Sequence, residues 1–294
     1  VPQKRLSRIF AGNAHTRVRL IFVLAIATFL ATGRTREIAA QAPLEAGAFV
    51  WYDLMTTKLA ASREFYGKLL GWSFKDTVRN GRPYVIASAG GRPIAGLIEI
   101  DAKPDAGPQW VSFFLVNDVA AATKEAESAG GKVLVPPTNV GSGEAAVIAD
   151  SQGAPVGIGH VTLKVPTVAE AKNGQFFWTD YMATDGEAAV RFYQRVAGYT
   201  ADTPTALGKG QHILLRNGAR PRAGLFILPE EVKNVRSHWL PHVRVDDPAA
   251  LAARATSLGG RVMLAPSANV RNNTLAIVAD PAGAPIALQK WPIQ

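Results

Sequence analysis

The sequence predicts an α+β protein assembled from four βαβββ modules, joined in two pairs along the chain. Three observations lead there. First, Trp51-Tyr52-Asp53-Leu54, Arg63-Glu64-Phe65-Tyr66 and Leu70-Gly71-Trp72 recur as Trp178-Thr179-Asp180-Tyr181, Val190-Arg191-Phe192-Tyr193 and Ala197-Gly198-Tyr199, at a constant offset of 127. Second, later matches keep their order while the offset grows by one residue at a time. Tyr84-Val85-Ile86 matches His212-Ile213-Leu214, and Arg92-Pro93-Ile94-Ala95-Gly96-Leu97 matches Arg220-Pro221-Arg222-Ala223-Gly224-Leu225, both at 128. Trp110, Asp118 and Gly130-Gly131 match Trp239, Asp247 and Gly259-Gly260 at 129, and the stretch from Ala149 to Pro155 matches Ala279 to Pro285 at 130. Growth between blocks is what insertions confined to loops produce. Third, each half contains the same succession of periodicities twice.

Taken in order, residues 49–55 form a strand-like run, followed by a helix whose apolar positions Ala61, Phe65 and Leu69 lie four apart and which Gly71 terminates. Short β-rich runs follow at 72–74, 84–87 and 95–100. The succession repeats with a strand over 111–116, a helix carrying Val119, Ala122, Ala126 and Ala129, a stop at Gly130-Gly131, and strands near 132–135, 145–149 and 155–158. In the second half Ala188, Phe192 and Val196 mark one helix, and Leu251, Ala255 and Leu258 the other. The halves span 48–160 and 175–290, with 161–174 as a linker containing Pro166, Asn173 and Gly174.

Residues 1–42 read as an export signal or N-terminal anchor. Lys4, Arg5, Arg8, Arg17 and Arg19 precede a short uncharged apolar run from Leu20 to Ala31 and then small residues, with cleavage after Ala40 preferred because Pro43 disfavours Ala42. The apolar run falls short of the roughly twenty residues a membrane span needs. Arg34 and Arg36 near the cut keep an uncleaved anchor, or an untargeted start, as alternatives. Export places the folded part in a bacterial periplasm or outside the cell, with membrane contact only through an uncleaved N-terminus.

The net charge of +9 invites a nucleic-acid reading, but residues 1–42 carry +6 of it and no basic stripe interleaved with aromatics follows. No nucleic-acid partner is expected. The absence of cysteine excludes disulfides, zinc ribbons and thiol nucleophiles. Phosphate-cradling glycine loops and Gly-x-Ser-x-Gly elbows are absent as well.

Paired modules with a helical Phe-Tyr, a glycine closing that helix, a Gly-Gly after the next helix and a closing Asp-Pro-x-Gly-type turn resemble the vicinal-oxygen-chelate superfamily, which includes glyoxalase I, bleomycin-resistance proteins and extradiol dioxygenases. The resemblance covers nearly all of 48–290. It implies two tandem glyoxalase-like domains with curved, mostly antiparallel sheets. It also implies metal ligands on the first and last strands of modules. Those places fall on Trp51, Trp178, Val111, Leu240, Gly157 and Ala287, none of which offers a suitable donor, and Glu99 alone does not make a site. No metal and no cofactor is therefore expected.

Strand side chains alternate, so Trp51, Asp53 and Met55 share one face, as do Trp178, Asp180 and Met182. With the tryptophans in the ligand places, Asp53 and Asp180 also point into the cavities. The inward partners are Phe113 in the first half and His242 in the second, with His238 further along. Trp51, Asp53, Phe113, Trp178 and His238 are candidate ligand-binding residues. Asp180 and His242 are candidate catalytic residues, since a carboxylate that orients an imidazole makes a general base. The opposing reading has the aspartates bonding backbone and His242 filling space. Pro241 places its strand at an edge or makes it irregular. Trp110 and Trp239 either line the cavity mouth or seal the sheet, and His160 and His212 lack an identifiable partner.

Two functions follow. One is an exported binder of a small aromatic or amphipathic molecule, without the usual metal site. The other is a superfamily enzyme, a lyase, isomerase or hydrolase, or one with dioxygenase-like activity, using Asp180 and His242 as acid and base. Monomer and homodimer both remain open, since two fused halves already supply a paired arrangement.

Overall fold

A computed structural model describes residues 45–102, 107–161 and 170–292. The predicted export segment and most of the predicted linker lie outside these residues. The first half runs β1 (Phe49–Thr56), α1 (Leu59–Leu70), β2 (Ser73–Arg79), β3 (Arg82–Ala89), β4 (Arg92–Glu99), β5 (Gln109–Leu115), α2 (Val119–Ser128), β6 (Lys132–Asn139), β7 (Gly143–Ala149) and β8 (Pro155–Val161). Its eight strands form one sheet in the order β2-β3-β4-β1-β5-β8-β7-β6. The second half repeats this with β9 (Phe176–Ala183), α3 (Gly186–Ala197), β10 (Thr200–Ala201), β11 (Thr205–Leu207), β12 (Gly210–Asn217), β13 (Arg220–Ile227), β14 (His238–Arg244), α4 (Pro248–Ser257), β15 (Arg261–Leu264), β16 (Leu275–Ala279) and β17 (Pro285–Gln289). Its strand order is β10-β12-β13-β9-β14-β17-β16-β15, with β11 added beside β12. Within each module the first and last strands pair in parallel, β1 with β4, β5 with β8, β9 with β13 and β14 with β17. Modules join through antiparallel pairs of first strands, β1 with β5 and β9 with β14.

Several repeated residues mark helix ends. Asp118, Asp185 and Asp247 accept hydrogen bonds from the backbone N–H of Ala121, Ala188 and Ala250, which N-caps α2, α3 and α4. Gly71 and Gly198 close α1 and α3 at φ of 71° and 66°, a left-handed conformation that glycine adopts without a Cβ clash.

The apolar residues do not make one core per half. One cluster joins α2, β7 and β8 to Tyr181, Phe192, Tyr193 and Val196 of the second half. The other joins Phe65, Tyr66, Leu69 and Trp72 to Val243, Ala252, Ala255 and Ile286. α1 accordingly lies against α4, and α2 against α3. The Gly-Gly pairs permit this contact. A Cβ on Gly131 would stand 3.0 Å from the Phe192 ring, and one on Gly260 would stand 2.5 Å from that of Phe65.

The closing turns tie the halves with polar bonds. Asp150 takes the N–H groups of Gln152 and Ala154 on Oδ1 and the Tyr193 hydroxyl, at 2.8 Å, on Oδ2. Asp280 takes the N–H groups of Ala282, Gly283 and Ala284 on Oδ1 and the Ser62 hydroxyl, at 2.7 Å, on Oδ2. This places Ser62, fully buried, on the inward stripe of α1, where the fourfold spacing predicts Ala61. Trp239 Nε1 donates to the Tyr193 hydroxyl and Trp110 Nε1 to that of Tyr66, so both tryptophans seal the interior behind the sheets.

Pro241 does not mark an edge. β14 lies between β9 and β17, and its ladder to β17 starts only at His242, one residue past the missing N–H. Irregularity is present, as a register shift against β9 at His242/Val243.

Tyr193→Phe removes the buried hydroxyl that bonds both Asp150 Oδ2 and Trp239 Nε1, and should cost about 1–3 kcal/mol of stability in urea unfolding. Tyr66→Phe should cost less, because Ser62 still holds Asp280. Equal midpoints for Tyr193→Phe and the unmodified chain would show that the cross-half tie adds nothing.

Candidate functional site

The two concave sheet faces carry small apolar clusters separate from the shared cores. On the first, Trp51, Met55, Val140 and Val147 pack around Val111, Phe113 and Ala145. On the second, Met182, Leu264, Val270 and Ile277 pack around Leu240, Leu275 and Ala287. The first cluster is therefore partly aromatic and the second aliphatic, although Trp178 also stands on the second face. Trp51 stands opposite Phe113, which stands beside Gly157, while Trp178 stands opposite His242, which stands beside Ala287.

At the base of each face lies a buried aspartate. Asp53 Oδ1 accepts from Trp51 Nε1 at 2.8 Å and from the Tyr84 hydroxyl at 2.6 Å, and Oδ2 accepts from Arg79 Nη1 at 3.1 Å. The Tyr84 hydroxyl in turn accepts from Trp51 Nε1 and Arg79 Nη1. Asp180 Oδ1 accepts from Trp178 Nε1 at 2.7 Å, and Oδ2 accepts from Arg271 Nη2 at 2.9 Å. His242 Nε2 stands 3.2 Å from Asp180 Oδ2, and His212 Nε2 stands 3.9 Å from Oδ1. The far side of the His242 ring is fixed by Gln289, whose Oε1 lies 2.7 Å from Nδ1.

Glycine makes each cluster possible. Gly96 pairs with Asp53 across β4 and β1, and Gly224 pairs with Asp180 across β13 and β9. A Cβ on Gly96 would fall 1.8 Å from the Tyr84 hydroxyl, and one on Gly224 would fall 2.0 Å from Asp180 Oδ1.

The two carboxylates differ in acidity. Burial pushes both upward, since a charge is poorly solvated inside. For Asp53 burial outweighs Arg79 and the bonds from Tyr84 and Trp51, and the pKa is raised. For Asp180 the charge of Arg271, with His242 and His212, outweighs burial and holds the pKa well below the usual carboxylate range.

Of the sequence-predicted residues, the structure gathers Trp51 and Asp53 on one face, and Trp178, Asp180 and His242 on the other. Phe113 walls the first face. His238 does not join the Asp180 cluster, because its Nδ1 lies 2.9 Å from the Arg236 carbonyl oxygen at the start of β14. His212 does have a neighbour, Asp180, which corrects its reading as a lone histidine. Strand alternation around Trp51 and Trp178 does not reach Arg79, Tyr84, Gln289 or Arg271. The match of Tyr84 to His212 in the repeat pointed to that position, whereas the two arginines come from non-equivalent places, the end of β2 and the turn before β16.

Among the described residues no group of three His, Cys, Asp or Glu is placed to hold a metal ion. Each aspartate is already paired with an arginine, so its charge is compensated by a guanidinium rather than left for a cation. The residues present do not fit the metal centre that the fold implies.

Fold and site together define a tandem-domain protein of paired βαβββ modules with two concave faces. The chain belongs to the Glyoxalase/Bleomycin resistance protein/Dioxygenase superfamily: residues 48–158 match the model of that superfamily, and 177–289 match the Glyoxalase-like domain. It is 32% identical over 256 residues to the anthracycline biosynthesis protein DnrV of Streptomyces peucetius, covering 81% of this chain and 91% of that one. It is 28% identical over 245 residues to CFP32 of Mycobacterium tuberculosis, which carries a glyoxylase name, covering 82% and 93%. In fold it is similar to 2,2',3-trihydroxybiphenyl 1,2-dioxygenase of Sphingomonas wittichii, with a TM-score of 0.57 at 15% identity, covering 83% of this chain and 90% of that one.

The opposite shifts predict opposite pH responses. Asp180, with a lowered folded-state pKa, stabilises fully above its unfolded value near 3.9 and loses that contribution as pH falls through the folded value. Asp53, with a raised pKa, contributes below that unfolded value and loses the contribution as pH rises through its folded one. Unfolding series should show Asp180→Asn approaching the unmodified chain on acidification, and Asp53→Asn approaching or passing it as pH rises from about 4 towards 7. Parallel curves for both variants would contradict the assignment.

Proposed function

We propose that the chain binds a small, flat aromatic molecule on the concave face of its first half, through side chains alone and without a resident metal. One observation carries this reading. The polar atoms around Asp53 are satisfied by Trp51, Tyr84 and Arg79, while Trp51 stays half-exposed beside Phe113, Val111 and Met55. A floor with settled polar groups under an aromatic wall favours stacking over polar chemistry. The name of DnrV, an anthracycline biosynthesis protein, supports the aromatic class, since anthracyclines contain fused planar rings.

A second reading rests on the 3.2 Å approach of His242 to Asp180 and on the grip of Gln289. In it the second half handles a proton, Asp180 holding the imidazole and Gln289 fixing its ring. His242→Ala leaving both ligand affinity and any turnover unchanged removes that reading. Export through residues 1–42 completes the proposal, and the basic stretch before the 20–31 apolar run supports it. Fractionation of cells expressing the chain with residues 1–42 present checks this, and recovery in the cytoplasm alone overturns it.

Anthraquinone-2-sulfonate, a soluble planar probe, should quench tryptophan fluorescence saturably. Trp51→Ala should weaken its binding by about tenfold, in line with about 1–3 kcal/mol for ring stacking, while Trp178→Ala changes it little. Binding that is insensitive to Trp51→Ala, or stoichiometric metal after purification without chelator, sinks the proposal.

A further inference from the structure

We propose that residues 265–274 form a strap across the second concave face, and that the ion pair of Arg271 with Asp180 is the latch that keeps it closed. Release of the latch uncovers the face that carries Trp178, Asp180 and His242. The inference goes beyond the aromatic reading of the first face and does not depend on it.

The internal duplication reveals what the strap has replaced. Asn139-Val140-Gly141-Ser142-Gly143 corresponds to Asn269-Val270-Arg271-Asn272-Asn273 at an offset of 130. In the first half this stretch makes a tight hairpin. β6 and β7 stay paired out to Asn139 opposite Glu144, and the Val140 N–H donates to the Gly143 carbonyl oxygen at 2.9 Å. In the second half the ladder of β15 with β16 ends at Leu264 opposite Ile277, which frees residues 265–274 from it.

Three contacts fix where the freed segment goes. Val270 packs with Met182 and Leu264 around Leu240, Leu275 and Ala287 on the face. Arg271 Nη2 reaches Asp180 Oδ2 on β9 at 2.9 Å, and its side chain is only 14% exposed. The Asn269 carbonyl oxygen lies 3.8 Å from the place a Cβ would take on Gly208, in the turn between β11 and β12. β15 ends the sheet on one side, while β11 and β12 lie towards the other. The segment therefore leaves one edge, touches a middle strand and meets the hairpin of the far edge. In the first half the equivalent turns stand in open space, since a Cβ on Gly81 or on Gly141 has nothing within 4 Å.

The closed strap is strained and the latch opposes the strain. Arg271 has φ of 48° where Gly141 has 85°, and Asn273 has 59° where Gly143 has 146°. Glycine adopts left-handed backbone freely, whereas an arginine is held there only by the contacts it makes. The bond to Asp180 is such a contact. The strap's own bonds close on themselves: the N–H groups of Val270 and Asn273 both donate to the Ser267 carbonyl oxygen at 3.0 Å, and the Thr274 hydroxyl donates to that of Arg271. The Lys290 N–H holds the Thr274 carbonyl oxygen at 2.9 Å and anchors the base. A self-bonded segment on a fixed base can lift as a unit, with backbone strain favouring release and the charge pair favouring closure.

The chain lacks cysteine, so two introduced thiols can be spin-labelled without background. Labels at Asn269→Cys and Lys209→Cys, both exposed, mark the strap tip and the opposing turn. Pulsed dipolar electron spin resonance should give one short distance between them. Arg271→Gln should add a longer-distance population. Asp180→Asn should do the same, and both changes together no more than either alone, since each removes the same latch. Arg79→Gln, which unpairs Asp53 instead, should leave the distance unchanged. Without spin labels, methyl-labelled methionine NMR in the presence of a soluble paramagnetic agent reads access to each face through Met55 and Met182. Arg271→Gln should broaden the Met182 signal severalfold and leave Met55 as it was. The proposal is overturned if the label distance ignores Arg271→Gln, if the two single effects add, or if Met182 gains no access. Should Asp180→Asn not fold, Arg271→Gln and the methionine readout still decide. Failure of anthraquinone binding on the first face leaves these outcomes unchanged.

Discussion

The structure depends on a bond between halves rather than within them. Asp150 and Asp280 each close a turn with one carboxylate oxygen and reach a helix of the other half with the second, through Tyr193 and Ser62. Around these bonds the two buried cores are built, each from one module of either half. Phe65 and Phe192 are almost fully buried in them, and burial of such a ring contributes about 1.5–3 kcal/mol. Much of that burial is supplied by the opposite half, which is why the helical Phe-Tyr, the Gly-Gly and the turn aspartate recur together. They are parts of one contact made twice.

A second constraint operates on the concave faces, where a carboxylate sits in the floor of each sheet. Burying an unpaired charge is costly, and each half sets an arginine against that cost, enough to overcome burial at Asp180 but not at Asp53. The arginines are not equivalent: Arg79 ends β2, whereas Arg271 sits in a turn where Arg271, Asn272 and Asn273 all have positive φ, 48°, 50° and 59°. Left-handed backbone at non-glycine residues is unfavourable by roughly 1–2 kcal/mol each. The Arg271–Asp180 pair and the bond from Asn273 N–H to the Ser267 carbonyl offset that strain. Electrostatic need is thus shared between halves while its structural solution is not.

The fold was legible because its signals are local and doubled: alternation, helical spacing, caps and glycines each recur with a constant register. Ser62 in place of Ala61 shows the limit, since its burial depends on Asp280, far away in sequence. Pro241 reads as an edge residue by rule, yet the start of the β17 ladder after it accommodates the missing donor in a central strand. At the site, alternation placed Trp51, Asp53, Trp178, Asp180 and His242 on their faces. It had no means of finding Arg79 or Arg271, because long side chains from a strand end and a turn leave no periodic trace. Sequence order gives His212 no neighbour, although its alignment with Tyr84 marks the same position in the repeat.

The separation between shared cores and concave faces explains how the halves could come to differ. A substitution in either core disturbs both halves, since each core draws on both. A substitution such as tyrosine to histidine at the position of Tyr84 and His212 touches only a face, an aspartate and a glycine. In the first half the phenol fills the floor and leaves the half-buried Trp51 over the buried Phe113. In the second the imidazole Nε2 stops 3.9 Å from Asp180 Oδ1, and Arg271 and His242 stand at the other carboxylate oxygen. The same backbone thus carries a phenol bonded to its aspartate on one side and an imidazole that stops short of its aspartate on the other, each beside a tryptophan. The physical origin of the difference is the length of one side chain.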